Sequence, residues 1–319
     1  MIKVINPNVE QWCQDDYTLD AIWKHIARCT RVCYQSRKKA DDESEYDFLV
    51  RTLFRGNDLL NQPYDDVDLT TMHLSVLEHG TVHLKISNFD EDAITLFNAA
   101  LRGNKYSRWK ANNSYIYVTT NMRVIIENNL MYMLKYIDIT PNNPYYPVRC
   151  TFSFITDIGV SRELNRHRVH SISEESTRYC RYTANKFGRN ITVVKLPWID
   201  YYNNNGSTQN YENGFFTYNE ILCDDELQSH FTKEWTAVDW YLYGLQIANL
   251  VYSKCVELGW TAQQAREILP LNTKTQVVHT AFASDWEHWI KLRCNETSGK
   301  VHPCMLEVAQ KLKELMCNK

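Results

Sequence analysis

Residues 148–182 read VRCTFSFITDIGVSRELNRHRVHSISEESTRYCRY and combine a strand pattern, a helix start and a dense basic cluster. The first part alternates, with Val148, Cys150, Phe152 and Phe154 at every second position. Because side chains alternate between the two faces of a strand, this spacing predicts a strand with these four residues on one face.

A helix is expected directly after this strand and leads into the basic cluster. Asp157 is placed as its N-cap, because an aspartate side chain can accept a hydrogen bond from the first helical turn. Arg162 and Arg166 are four residues apart, so we expect them on one face of this helix. Arg168 and Arg178 belong to the segment that follows.

Carboxylates and hydroxyls are interspersed among these arginines, notably Glu163, Glu174, Glu175 and Ser176. A surface that grips a DNA backbone would not place carboxylates within its own phosphate contacts. A pocket for a small dianion would use both kinds of group, since guanidinium groups form planar, bidentate pairs with phosphate oxygens. A solvent-exposed network of Arg–Glu pairs fits the residue types equally well.

The same cluster offers two formal nucleophiles. Ser176 could act with His167 or His170 as its base, although nearby arginines lower the basicity of an imidazole. Cys180 is a thiol among cations, which favour its thiolate. A small buried residue is the simpler interpretation of Cys180.

The rest of the chain favours an α+β fold with a mixed or antiparallel sheet packed against helices. An alternating stretch at 81–87 predicts a strand. Strands are expected early and helices late, which argues against a doubly wound sheet. Helices are expected at about 18–34, around 47–54, at about 226–258 with Gly259 at its end, at 261–269 before Pro270, and around 284–293 and 302–316.

The composition indicates an ordinary globular protein. The chain has 319 residues, a net charge of -3 and 44% hydrophobic residues. Near-neutral charge argues against a general nucleic-acid binder, and no apolar run approaches the length of a membrane span. The N-terminus has neither a basic nor an apolar leader segment, so we expect a cytoplasmic protein. No glycine-rich phosphate loop is present.

The order Arg166-His167-Arg168, seven further residues, Ser176 and then Arg178-Tyr179 resembles the signature of the flavin-dependent thymidylate synthases. Other stretches resemble the same family in the same order. They are HIARCTRVCYQS at 25–36, SVLEHG at 75–80, AREILPLN at 265–272, LR at 292–293 and HP at 302–303. The resemblance covers about 25–310.

The resemblance implies an enzyme that methylates dUMP to dTMP. The carbon would come from 5,10-methylenetetrahydrofolate and the reducing power from NADPH through bound FAD, without a covalent enzyme nucleophile. It also implies a homotetramer whose sites lie between subunits. Residues 1–319 would form one catalytic domain with an insertion at about 88–147.

Site residues follow from the resemblance, position by position. No metal is expected. Arg293 is implied as the catalytic cation that favours negative charge on the pyrimidine, since a guanidinium stays protonated. Contacts to dUMP are implied for Glu163, Arg166, Glu174, Glu175, Ser176, Thr177, Arg178, Arg266 and Arg293. Contacts to FAD are implied for His79, Arg166, His167, Arg168, Glu174, Phe282, Ala283, Ser284 and His288.

Two other functions remain open from the residues. The cluster at 162–181 could belong to an RNA or single-stranded DNA binding module, whose affinity would fall steeply with salt. A hydrolase that uses Ser176 or Cys180 would instead lose turnover, but not nucleotide binding, when that residue is replaced.

Overall fold

The structure is a computed structural model. It describes residues 2–36, 43–62, 67–140, 143–199, 215–216 (backbone only), 236–294 and 299–317. Within these ranges the strands are β1 (Ile2–Ile5), β2 (Asn8–Trp12), β3 (Thr81–Ser87), β4 (Arg108–Ala111), β5 (Tyr115–Asn121), β6 (Arg149–Asp157), β7 (Ser171–Glu174), β8 (Thr192–Val194), β9 (Phe215–Phe216) and β10 (Lys274–Phe282).

The helices of the described ranges are α1 (Leu19–Tyr34), α2 (Glu45–Thr52), α3 (Glu91–Leu96), α4 (Met122–Glu127), α5 (Ile158–Leu164), α6 (Ala237–Glu257), α7 (Ala262–Ala265), α8 (Ala283–Arg293) and α9 (Pro303–Cys317). A π-helical turn follows α3 at Phe97–Leu101. Short 3-10 turns lie at Leu69–Thr71, Leu74–His79, Met131–Tyr136, Asn185–Phe187 and Arg266–Ile268.

A four-stranded antiparallel sheet in the order β2-β6-β10-β7 forms the centre of the molecule. β6 and β10 pair along their whole length, from Arg149 opposite Phe282 to Asp157 opposite Lys274. One face of this sheet packs on α8 and α9 through an apolar cluster that includes Phe154. The predicted α+β class with an antiparallel sheet is confirmed.

The opposite face of the central sheet is buried but polar. His25 Nε2 lies 3.2 Å from Thr151 Oγ1, which lies 2.7 Å from Thr280 Oγ1. Thr280 Oγ1 lies 2.8 Å from His79 Nδ1, and His79 Nε2 lies 2.9 Å from Ser173 Oγ. These four hydrogen bonds tie α1 and the 3-10 turn that ends at His79 to the sheet, because a buried polar group without a partner is costly.

The sequence pattern did not predict β10, and the expectation that strands come early is wrong for it. The reason is burial on both faces. Val277 belongs to the apolar cluster under α8 and α9, whereas Val278 belongs to the cluster around α1. A strand covered on both sides has no alternation of apolar and polar residues to detect.

Local signals were more reliable at the element ends. The helix predicted at 18–34 is α1, capped by Thr18, whose side chain accepts a hydrogen bond from Ala21 N. The strand predicted at 81–87 is β3. Asp157 caps α5 as expected, with its Oδ1 2.7 Å from Val160 N. These three predictions are confirmed.

Other predicted boundaries shifted. Val148 was predicted to lie in a strand on the same face as Phe152 and Phe154, but β6 begins one residue later and Val148 is 61% exposed. The long helix expected at 226–258 is observed from Ala237, and residues 226–235 lie outside the described residues. Gly259 follows the helix with a φ of 101°, a left-handed conformation that favours glycine.

The segment 88–147 contributes β4 and β5, which pair with β3 in an antiparallel sheet of order β3-β5-β4. Its apolar side chains, such as Phe97 and Val118, belong to the same buried cluster as Ile22 and Ile26 of α1. The segment therefore shares a core with the body of the protein. Within the described ranges, none of the helices combines the length and apolar character that a membrane crossing needs.

A close approach at Gly80 yields a testable prediction. A Cβ atom at this position would lie 2.5 Å from Cδ1 of the fully buried Ile26 and 2.9 Å from Cγ2 of Ile22. We expect Gly80→Ala to lower the free energy of unfolding by about 1–3 kcal/mol, the usual cost of overpacking, as measured by urea denaturation. Gly103→Ala is the control, since nothing lies within 4 Å of its Cβ position. Equal effects of both substitutions would contradict this packing argument.

Candidate functional site

A cavity of about 560 Å³ lies beside the end of the central sheet where β10 begins. It is formed by α5, by the segment that follows β7 and by the turn that follows α7. Three guanidinium groups, three carboxylates and three hydroxyl groups border it. Its lining comprises Ile158, Ser161, Arg162, Asn165, Glu174, Glu175, Ser176, Thr177, Arg178, Arg266, Glu267, Leu269 and Leu271.

Backbone hydrogen bonds hold these segments at the cavity. Glu175 N donates to Gln276 O at 2.8 Å, and Ser176 N donates to Cys33 O at 2.9 Å. Gly159 N, in the first turn of α5, donates to Leu271 O at 3.1 Å. These hydrogen bonds therefore connect four regions of the chain, namely the end of α1, the start of α5, the segment that follows β7 and the stretch 271–276.

The arginines of the cavity keep most of their hydrogen-bonding capacity. Arg178 Nε donates to Gln263 Oε1 at 3.1 Å, and Arg266 Nε donates to Glu267 Oε1 at 3.2 Å. Arg162 makes no side-chain hydrogen bond or ion pair with any residue that the structure describes. A guanidinium has five N–H donors. The three arginines therefore present several positively charged N–H groups that have no partner among the described residues, and the cavity suits an anion.

Two of the three carboxylates of the cavity, Glu174 and Glu175, are in contrast held in place. Glu174 accepts hydrogen bonds from Asn165 Nδ2 at 3.0 Å and Thr275 Oγ1 at 3.3 Å. Glu175 is only 3% exposed, and Lys274 Nζ lies 2.5 Å from its Oε2. Glu175 also borders a second cavity of about 690 Å³, so it forms part of the wall between the two.

Arg293 is the last residue of α8 and does not line this cavity. Its guanidinium group is instead hydrogen-bonded to Glu163 and His167. Its Nη1 donates to Glu163 Oε2 at 2.9 Å, and its Nη2 donates to Glu163 O at 3.1 Å. Its Nε donates to His167 Nε2 at 3.2 Å. Burial, together with the positive charge of Arg293, lowers the pKa of His167 to about 4, so this imidazole is neutral at pH 7 and can accept.

The expectation that Arg162 and Arg166 share a helix face is wrong, because α5 ends at Leu164 with Asn165 as its C-cap. Arg166 therefore lies beyond the helix. Arg166 and Arg168 are both exposed and do not line the cavity, whereas Arg162 does. Spacing alone could not reveal where the helix stops.

Apart from Glu174, which lines the cavity, the residues expected to contact a flavin lie elsewhere in this chain. Phe282 is the last residue of β10, about 27 Å from the start of the strand at the usual rise per residue, and Ala283, Ser284 and His288 follow it in α8. Phe282 is buried, whereas Ser284 and His288 are exposed.

His79 is fully buried in the polar face of the central sheet, and burial holds its pKa well below the usual value. A contact of His79 with a flavin stays a prediction.

The hydrolase hypothesis has no support in the geometry. Neither candidate base is bonded to Ser176, since His167 accepts from Arg293 and His170 Nδ1 lies 3.2 Å from His279 Nδ1. Burial, with a contribution from the nearby Glu175 carboxylate, raises the pKa of Cys180 to about 11, which disfavours a thiolate.

The chain also contains site residues that the sequence patterns did not single out, namely Asn165, Gln263, Glu267 and Lys274. Lys274 and Gln263 do not line the cavity but contact its residues Glu175 and Arg178, and these contacts carry no local signal because only the fold creates them. Asn165 could have been noticed as the amide residue directly before Arg166, since an asparagine side chain can both donate and accept hydrogen bonds. Among the described residues, no three His, Cys, Asp or Glu side chains are arranged to hold a metal ion.

The contact between Arg293 and His167 gives a direct prediction. Arg293→Met removes a positive charge that depresses the imidazole pKa, so the pKa of His167 should rise from about 4 while burial keeps it below the ordinary 6.5. The pKa is measured by NMR titration of the ring protons. Arg166→Met, at an exposed position, serves as the control and should leave this pKa unchanged. An unchanged pKa in Arg293→Met would refute the contact.

Comparison with known proteins places this geometry in a family context. A family model described as "Thymidylate synthase complementing protein" matches residues 134–316. A probable flavin-dependent thymidylate synthase of Paramecium bursaria Chlorella virus 1 is 25% identical over 165 residues, which cover 52% of this chain and 64% of the relative. The flavin-dependent thymidylate synthase of Synechocystis sp. is 24% identical over 52% of this chain and 66% of its own. That of Thermosipho melanesiensis is 24% identical over 59% of this chain and 72% of its own.

The match thus spans about two thirds of the length of these relatives. A solved structure of the UMP/dUMP methylase PolB from Streptomyces cacaoi, bound with 5-Br dUMP, is 22% identical with a TM-score of 0.36 and covers 53% of this chain and 67% of that one. The hypothesis of a nucleic-acid binding module finds no support among these relatives. Because the family model covers more than half of the chain, the chain belongs to the family of the flavin-dependent thymidylate synthases.

Proposed function

We propose that the protein methylates dUMP to dTMP, with 5,10-methylenetetrahydrofolate as carbon donor and NADPH as reductant through FAD. The observation that carries this proposal is the convergence of Arg178, Arg266 and Ser176 on one cavity in a chain of this family. A volume of about 560 Å³ suits a single mononucleotide.

The phosphate group is proposed to bind among Ser176, Arg178 and Arg266. Among the described residues, each arginine has one side-chain hydrogen bond, from Arg178 to Gln263 and from Arg266 to Glu267, which leaves further N–H donors for a ligand. A phosphate dianion can take several charge-assisted hydrogen bonds from such groups. Thr177, which is half-buried, completes the wall.

The sugar and base are proposed to lie against the fixed carboxylates. Glu174 is oriented by Asn165 and Thr275, and Glu175 by Lys274. Acceptors held in this way can select hydroxyl and N–H groups without having to reorganise when the ligand binds. Such preorganisation lowers the entropic cost of binding.

Arg293 is proposed as the cation that stabilises negative charge on the pyrimidine. It does not line the cavity of its own chain, so the proposed sharing of sites between subunits would have to bring it to the base. Glu163 and His167 hold its guanidinium from two sides. Because His167 is neutral and Glu163 is a carboxylate, Arg293 carries the positive charge among these three residues. Its guanidinium does not lose its proton near pH 7. Donors fixed before the reaction stabilise developing charge best.

The residues of the basic motif suit a flavin nucleotide. Arg166 and Arg168 are exposed, and neither makes a side-chain hydrogen bond or ion pair with another described residue. Guanidiniums of this kind fit a pyrophosphate, and His167 beside them offers an imidazole. FAD, when bound, supplies the hydride chemistry. This chain's residues are proposed to bind and orient it through 166–168, Glu174 and the segment 282–288.

A homotetramer with sites shared between subunits is part of the proposal. Its support is the separation of about 27 Å between the two ends of β10, since one end borders the nucleotide cavity and the other precedes the segment 282–288. A second copy could bring the two sets of residues together. We further propose a single cytoplasmic catalytic domain over 1–319, into which 88–147 is inserted.

The activity can be tested on the purified full chain. We expect a yellow protein with flavin absorbance and dTMP formation that requires FAD, NADPH and methylenetetrahydrofolate together. Chromatography of the products detects dTMP, and omission of each component in turn is the control. A colourless protein that FAD cannot reconstitute would refute the proposal.

Ser176→Ala separates a phosphate ligand from a nucleophile. We expect the KM for dUMP to rise about tenfold, the usual effect of losing one hydrogen bond to a charged group, while kcat is largely retained. Steady-state kinetics measures both constants. Cys180→Ala is the matched control in the same segment and should change neither. Loss of kcat with unchanged dUMP binding in either variant would favour the hydrolase instead.

A further inference from the structure

We propose that Arg108, in the segment 88–147, is a positioning residue for the stretch 282–285. The inference rests on the proposed function, which assigns this stretch to flavin binding. It adds a role for the inserted segment, whose strand β4 begins at Arg108.

One guanidinium group contacts three of the four residues at the junction of β10 and α8. Arg108 Nη1 donates to Ser284 Oγ, and its Nη2 donates to Asp285 Oδ1 at 2.7 Å. Its guanidinium carbon lies 4.2 Å from the centroid of the Phe282 ring, within the range of a cation–π contact. Three different interactions thus fix the same short stretch.

The start of α8 needs such outside support. Its N-cap is Phe282, which makes no side-chain capping hydrogen bond. The first N–H groups of a helix have no partner within the helix, and here Ala283 N finds one in Val148 O at 2.9 Å. Asp285 lies in the first turn, where a carboxylate is favourable. Its orientation is set by Arg108.

A second guanidinium lies near the same ring. The guanidinium carbon of Arg149 is 5.7 Å from the centroid of Phe282, and Arg149 itself donates to Thr81 Oγ1 and Glu78 O. Arg149 belongs to the central strand β6, whereas Arg108 comes from the inserted segment. The Phe282 ring is therefore located jointly by the sheet and by the insertion.

The Arg108–Asp285 pair is too exposed to contribute much to stability. The side chains are 38% and 19% exposed, respectively. Ion pairs of this kind contribute little to folding, but a guanidinium that donates through two nitrogens restricts orientation. The effect of Arg108 should therefore appear in the order of 282–285 and in flavin binding rather than in unfolding.

The test compares two arginines of the inserted segment in the full chain. Arg108→Met removes all three contacts, whereas Arg102→Met is the control, because Arg102 bonds to Asn98 and does not contact 282–285. The dissociation constant of FAD is measured by flavin fluorescence, and amide hydrogen exchange at 283–289 is measured without FAD. We expect Arg108→Met to weaken FAD binding about fivefold, the upper range for such a pair, and to accelerate exchange.

Arg102→Met should leave both readouts within about twofold of the wild type. Arg108→Lys should recover only part of the FAD affinity, since an ammonium cannot form the paired contacts. Unchanged FAD affinity in Arg108→Met, or equal losses in both Met variants, would overturn the inference while the wild type still binds FAD. Failure of the wild type to bind FAD would instead refute the proposed function.

Discussion

The pairing of β6 with β10 is the constraint on which the rest of the structure depends. It is antiparallel and continuous, and both faces of β10 are covered, by α1 on one side and by α8 and α9 on the other. A shift of one residue would exchange Val277 and Val278 between two different apolar clusters. The register is therefore strongly determined, and with it the positions of everything at the two ends of these strands.

The two ends serve different parts of the molecule. At one end, Asp157 starts α5 and Lys274 holds Glu175, so that the cavity with its arginines is built on the start of β10. At the other end, Phe282 begins α8 under the guanidiniums of Arg108 and Arg149. The pairing of β6 with β10 therefore fixes the distance between the residues proposed to bind the nucleotide and the segment 282–288 proposed to bind the flavin.

The buried polar face of the central sheet requires every polar side chain to be hydrogen-bonded, and this requirement favours one position of α1 on the sheet. Imidazoles and hydroxyls there replace the apolar packing that the opposite face uses, and each must find a partner, because an unsatisfied buried group costs about 1–3 kcal/mol. His25, Thr151, Thr280, His79 and Ser173 satisfy this condition in one chain of hydrogen bonds. Such a network favours one arrangement of α1 on the sheet, since any displacement breaks several bonds together.

Local signals in the sequence determined the helix α1, the strand β3, the cap Asp157 and the motif that led to the family. Each depends on neighbouring residues alone. Only the tertiary structure decided which of the candidate arginines face the cavity. Arg162, Arg178 and Arg266 line it, whereas Arg166 does not, because α5 ends at Leu164.

The same holds for β10, whose burial on both faces removes the alternation that would have revealed it, and for the contact of Arg108 with Ser284, which joins residues 176 positions apart. Contacts between distant parts of a chain leave no spacing pattern in one sequence. They arise from packing, and only the folded structure contains them.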